Sequence, residues 1–266
     1  MRTSRPGSSP RERPARERTL PVPTPPRYTG GMPAELRPAA TVILLRDTPS
    51  GPEVWMMERS RAVGFMGAAW VFPGGRVDPG DAELPARCTV EDGIPRAFRA
   101  AAARELFEEA GVRLSAPDEA DVPDDAYDLD GLVPWSHWIT PEIEARRYDT
   151  WFFVTPLPPG AEARIDGQEA VAGDWLRPAD AIARAEAGTL PLAPPTLRTL
   201  VELLPYADVA AAVAVRRPLP PICPRFTKVE DETVWVLLPG DPDYPSDAPV
   251  EPPTRFPFHV GRWWAR

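Results

Sequence analysis

Residues 104–112, RELFEEAGV, decide how this chain is read. With 3.6 residues per helical turn, positions i, i+3 and i+4 share one face, so Glu105, Glu108 and Glu109 converge on a single patch. Like charges at that spacing repel each other unless positive charge lies between them. The residues before them, RAFRAAAA at 96–103, are strong helix formers after Pro95, and Gly111 is a natural C-terminal stop. The spacing therefore predicts a helix that ends in a carboxylate cluster. The competing reading is a solvated helix face with Arg104 paired to Glu108, which is ordinary for an isolated E-x-x-E-E.

Working outward, residues 39–47 (AATVILLRD) and 53–60 (EVWMMERS) read as strands around the turn TPSGP. A short apolar strand then runs into Pro73-Gly74-Gly75, where the glycines permit a sharp turn. Beyond the helix, residues 131–140 (GLVPWSHWIT), 147–157 (RYDTWFFVTPL) and 169–178 (EAVAGDWLRP) predict strands, and helices follow Pro178 and Pro195. This alternation is that of an α/β or α+β layered domain. The Pro-rich tail contains two further strand-like runs, at 232–241 and 255–266, so a docked hairpin or added strand is expected there. The division expected is an arm at 1–37, a catalytic domain at 38–217 and a C-terminal extension at 218–266.

The 266 residues include 38 prolines, about three times the usual share, which places long irregular segments at the ends. Seven arginines and the prolines of the first 30 residues suit a disordered arm, since a proline-broken segment cannot form the amphipathic helix of a transit peptide. No apolar run approaches membrane-spanning length, so a cytoplasmic protein is expected. A net charge of −9 argues against a nucleic-acid partner. Cys88 and Cys223 are too few for a disulfide framework, and with His137 and His259 they show no metal-ligand spacing.

RELFEEAGV matches every specified position in the second half of the Nudix hydrolase signature, G-x5-E-x7-R-E-U-x-E-E-x-G-U, where U is aliphatic. The first half is visible as Gly75, five residues, then Asp81 in place of glutamate. Residues 82–103 number 22 where the signature has seven, so 15 are extra and should bulge out before the helix. The resemblance implies the Nudix fold, a mixed β-sheet sandwiched between helices, here with a C-terminal β extension. It further implies that Glu105, Glu108 and Glu109, with a backbone carbonyl of Gly75 or Gly74, bind Mg²⁺ or Mn²⁺. Glu105 is then a catalytic carboxylate, and Arg104 holds the carboxylates in place. Hard oxygen ligands suit those ions. In the family a base or further ligand often comes from a loop before a later strand, where Glu169 is the first candidate and Glu162 the second.

Residues 59–75 also resemble the motif R-[SA]-x3-R-x3-G-x3-F-P-G-G of the branch that contains the coenzyme A and acyl-CoA diphosphatases. Arg59-Ser60 and the F-P-G-G block are in register, but Gly64 replaces an arginine and Ala68 a glycine. Arg59, Arg61 or Arg147 could supply the phosphate contact instead, because a guanidinium pairs bidentately with phosphate. The resemblance thus implies a hydrolase of a nucleoside diphosphate linked to another moiety, with coenzyme A or its thioesters first. ADP-ribose, a dinucleotide or NADH are the alternatives, and a non-catalytic nucleotide-binding module is a different class. The expected partner is that small molecule, and a homodimer stays open.

Overall fold

The structure is a computed structural model and describes residues 34–60, 68–116, 123, 125–228, 234–244, 253–259 and 262–263. Residues 1–33 of the N-terminal arm, Gly64 and Arg61 thus lie outside the described residues, while the last two residues of the expected arm, Leu36 and Arg37, already belong to the first strand. Strand β1 (Leu36–Thr48) turns into β2 (Gly51–Arg59), and two short strands follow, β3 (Trp70–Val71) and β4 (Gly74–Arg76). A 3₁₀ turn (Pro79–Glu83) and β5 (Ala86–Arg87) lead into helix α1 (Arg96–Ala110). Strands β6 (Tyr127–Asp128), β7 (Val133–Ile139), β8 (Arg147–Pro156) and β9 (Ala170–Leu176) come next. Helices α2 (Pro178–Glu186), α3 (Pro194–Leu203) and α4 (Val209–Val213) precede β10 (Arg225–Lys228), β11 (Val234–Leu237), β12 (Arg255–His259) and β13 (Arg262–Trp263).

Seven strands form one mixed sheet in the order β3-β2-β1-β8-β7, with β4 also on β1 and β9 also on β2. The β1–β8 pairing is parallel and the others are antiparallel. Alternation along β1 sends Val42 and Leu44 to one face and Ile43 and Leu45 to the other, so each face builds its own apolar layer. Helix α1 covers the first face. Ala100, Ala101, Ala102 and Ala103 are all fully buried, which means α1 is enclosed on every side over that turn. Small side chains are what allow so close an approach to the sheet. At its end, Gly111 adopts φ 67° and its N–H donates to Phe107 O, closing the helix where the sequence places the stop.

The second face is covered by α2, α3 and α4 together with the C-terminal extension, whose Val234, Val236, Leu238, Phe256 and Trp263 join the same apolar layer. Glu202 ties the two parts. Its buried carboxylate accepts from Trp135 Nε1 (2.8 Å), Arg198 Nε (2.8 Å) and Arg217 (3.0 Å), and Arg198 also donates to Pro253 O. The free edge of β7 is blunted by Ile222, which exchanges backbone hydrogen bonds with His137 and Ile139. Where the tail was expected to hold two strands, four pair as a separate antiparallel sheet, β10-β11-β12-β13.

Ala68 has φ 68°, a left-handed conformation that glycine takes freely. It stands where the coenzyme A motif has glycine. Ala68→Gly should raise stability by roughly 0.5 to 1 kcal/mol, the relieved strain less the entropy glycine adds to the unfolded chain. A shift of the urea midpoint to higher concentration checks this. A lower midpoint would show that the turn is not strained.

Candidate active site

The carboxylate cluster forms where α1 crosses β4. Gly75 pairs with Ala40 of β1, and a Cβ built on Gly75 would lie 2.3 Å from Glu105 Oε1. Only a hydrogen atom fits between strand and carboxylate. Gly74 is equally confined, its notional Cβ falling 2.4 Å from Ala40 O, and its N–H donates to Glu109 Oε2 at 2.8 Å. The two glycines of FPGG thus let the strand reach two glutamates one helical turn apart. Gly75→Ala should push the Glu105 carboxylate aside and lower kcat on the order of tenfold or more, with little change in melting temperature. Unchanged kcat would mean that the position of Glu105 is unimportant.

Arg104 uses all five of its donors. Nε and Nη2 bind Asp81 (2.8 and 3.0 Å), Nη1 binds Glu105 and Glu108 (both 2.9 Å), and Nη2 also reaches Arg76 O at 3.0 Å. The hydrogen bond to Asp81 leads in driving its pKa well above the usual arginine value. Asp81, one methylene shorter than the glutamate of the signature, nevertheless makes this contact from a nearly sealed position, its side chain 2% exposed. The pairing of Arg104 with Glu108 is also present, so the solvated-face reading holds for that one glutamate, whose side chain is 54% exposed.

Burial raises the pKa of Glu105, with Arg104 opposing and Glu108 and Glu169 adding to the rise. Glu109 is pushed up to about 7, again by burial first, with the Gly74 N–H opposing and Glu105 adding; Arg59 lowers it and Glu169 raises it. Two half-buried carboxylates, both raised in pKa although Arg104 and Arg59 lie nearby, are a donor set that suits a hard divalent cation. Among the described residues no three His, Cys, Asp or Glu side chains are gathered into a metal site, and Glu108 is bound to Arg104. The pair Glu105 and Glu109, with Glu108 tied to Arg104 on the same helix face, fits the group.

The other expected residues fall unevenly. Glu169, exposed on the loop before β9, is close enough to act on both buried glutamates, and its carbonyl accepts from Ser60 N. Glu162 is exposed and paired with Arg164. Arg59, half-buried at the end of β2, faces Glu109 beside a register shift in the β2–β9 pairing. Such a bulge re-aims the side chain that follows it. Arg147 is buried and donates to Thr140 O and Ala34 O. Cys88 and Cys223 are free and half-buried, and His137 is paired to Asp149 (2.6 Å) while stacking on Trp151.

The site is a glutamate-bearing helix closed against a Gly-Gly strand at one face of a mixed sheet between helical layers. The chain is 30% identical over 249 residues to putative nudix hydrolase 7 of Caenorhabditis elegans, covering 85% of this chain and 80% of that one. It is 28% identical to the acyl-coenzyme A diphosphatase NUDT19 of Gallus gallus over 79% of this chain and 80% of the relative. The crystal structure of a Nudix hydrolase from Alicyclobacillus acidocaldarius superposes with a TM-score of 0.62 at 27% identity, over 70% of this chain and 99% of the other. No family model matches the chain. It belongs to the Nudix hydrolase family and is a hydrolase, of a family that cleaves diphosphate bonds and generally works with a divalent metal. Among the described residues no helix is long and apolar enough to cross a membrane.

Proposed function

We propose that this chain hydrolyses the diphosphate of a nucleoside diphosphate linked to another moiety, with coenzyme A or an acyl-CoA as its first substrate, using Mg²⁺ or Mn²⁺. The observation that carries the metal reading is the pair of desolvated carboxylates, Glu105 and Glu109, closed against Gly74 and Gly75. A divalent ion held there supplies positive charge for the diphosphate and polarises water. Arg104 keeps Glu105 oriented and releases Glu108 as a further ligand. In this reading Glu169, exposed on the loop before β9 and near enough to raise the pKa of Glu105 and Glu109, takes the proton of the attacking water. Arg59 receives a phosphate oxygen.

The coenzyme A reading rests on two supports. Relatives over most of the chain are named acyl-coenzyme A diphosphatases, and the R-S and F-P-G-G blocks are kept in register with a glycine-like turn at Ala68. Against it stands Gly64, where a charge-assisted contact of about 1.5 to 3 kcal/mol is absent. We assign catalysis to residues 38–217 and take 218–266 as a docked part of the same body.

The test is a comparison of kcat/KM for coenzyme A, ADP-ribose and NADH with added Mg²⁺ or Mn²⁺. Coenzyme A should be cleaved to 3′,5′-ADP and 4′-phosphopantetheine. A coenzyme A value at least tenfold below either competitor sinks the coenzyme A reading and leaves the hydrolase. No turnover on any diphosphate would favour a binding module.

A further inference from the structure

The 15 extra residues of the signature bring Arg96 against the turn that carries Asp81. Arg96 is the first residue of α1, and its guanidinium donates to the carbonyls of Asp81 (3.4 Å), Ala82 (2.7 Å) and Leu84. The same turn is held from its other side, where Asp78 N–H donates to Asp81 Oδ2 at 2.7 Å. Asp81 then grips Arg104, and Arg104 in turn grips Glu105 and Glu108. Helix α1 therefore touches this turn twice, through Arg96 at its start and through Arg104 about 12 Å further along.

Aspartate is one methylene shorter than the glutamate of the signature, so its turn must approach the helix more closely to reach Arg104. The Arg96 fork holds that turn by its carbonyls. The rest of the extra segment is tied down in its own right. Arg99, stacked over Phe153, pairs with Asp92 at 2.6 Å, Thr89 binds Asp130 through both its N–H and its hydroxyl, and β5 pairs in parallel with β6.

We propose that Arg96 is a positioning residue for the carboxylate site, acting through Asp81 and Arg104, and that the extra segment serves to hold it there. The proposal rests on the reading of Glu105 and Glu109 as metal ligands. It gives the insertion a task in the reaction and accounts for the aspartate at position 81.

The experiment is a Mn²⁺ titration of the full chain followed by electron paramagnetic resonance of the free ion, with melting temperature recorded alongside. Arg96→Gln should weaken Mn²⁺ binding about tenfold, as loss of a group orienting ligands does. Asp81→Ala should weaken it at least as much, and the double variant no further than Asp81→Ala alone, because both act on one path. Arg96→Lys keeps the charge but not the fork; it should recover part of the affinity, and it stands in if the glutamine variant fails to fold. Wild-type affinity in Arg96→Gln or in Arg96→Lys despite a lower melting temperature would reduce Arg96 to a structural role and overturn the proposal. Losses that multiply in the double variant would overturn the path through Asp81. Absence of Mn²⁺ binding in the unmutated chain would instead overturn the metal reading beneath it.

Discussion

Glu109→Gln is expected to lower kcat by about 10²-fold or more while raising the melting temperature of the metal-free protein at pH 8. The two effects have opposite signs for one reason. Glu109 is buried beside Glu105, so its charged form is disfavoured in the folded state and its pKa rises from 4.5 to about 7. A group whose folded pKa is raised lends stability below its unfolded value and loses that contribution as pH climbs through the folded one. Metal-free wild type should therefore weaken between about pH 4.5 and pH 7, in the direction that Glu105 shares. Glutamine keeps the shape and removes the charge, so the weakening shrinks and a ligand oxygen disappears with it. Addition of Mg²⁺ or Mn²⁺ at pH 8 should raise the melting temperature of wild type and not of the variant. A variant that turns over at the native rate, or melts lower than wild type without metal, would remove Glu109 from the site.

Arg104→Ala should cost about 3 to 5 kcal/mol of stability, the range for removing one partner of a buried ion pair. The cost arises mostly at Asp81, whose side chain is 2% exposed and which, among the described residues, would keep the Asp78 N–H alone as a donor to its charge. Glu105 and Glu108 lose their common tether at the same time, so activity should fall even at temperatures where the variant stays folded. Arg104→Lys should recover little, since an ammonium cannot span Asp81, Glu105, Glu108 and a backbone carbonyl at once. A urea unfolding midpoint close to wild type for Arg104→Ala would show that Asp81 is satisfied by other groups.

Much of the site is written in local spacing. The i, i+3, i+4 glutamates, the helix from Pro95 to Gly111 and the paired glycines follow from helix periodicity and from what glycine alone tolerates. Local spacing cannot say which glutamate is buried. Three share a face, yet Glu105 and Glu109 meet the glycine strand while Glu108 turns outward to Arg104, because β4 crosses the helix at only one place. The same limit explains Arg147. Its hydrogen-bond partners are fixed by the β1–β8 pairing, which brings Leu36 opposite it and the Ala34 carbonyl within reach, and sequence spacing does not show that pairing. Strands of two residues, such as β5 and β6, carry no periodic signal and exist only through their mutual pairing. The five-residue α4 is likewise set by Asp208 capping Ala211 N and by Asp47 receiving Val209 N from across the chain.

Crystals soaked in Mn²⁺ and measured at the manganese absorption edge test the central claim most directly. The account predicts an anomalous peak between the carboxylates of Glu105 and Glu109, beside Gly74 and Gly75, with Glu108 swung away from Arg104 toward the ion. A peak elsewhere, or none in crystals of a protein that cleaves diphosphates with these side chains ordered as they stand here, would contradict it.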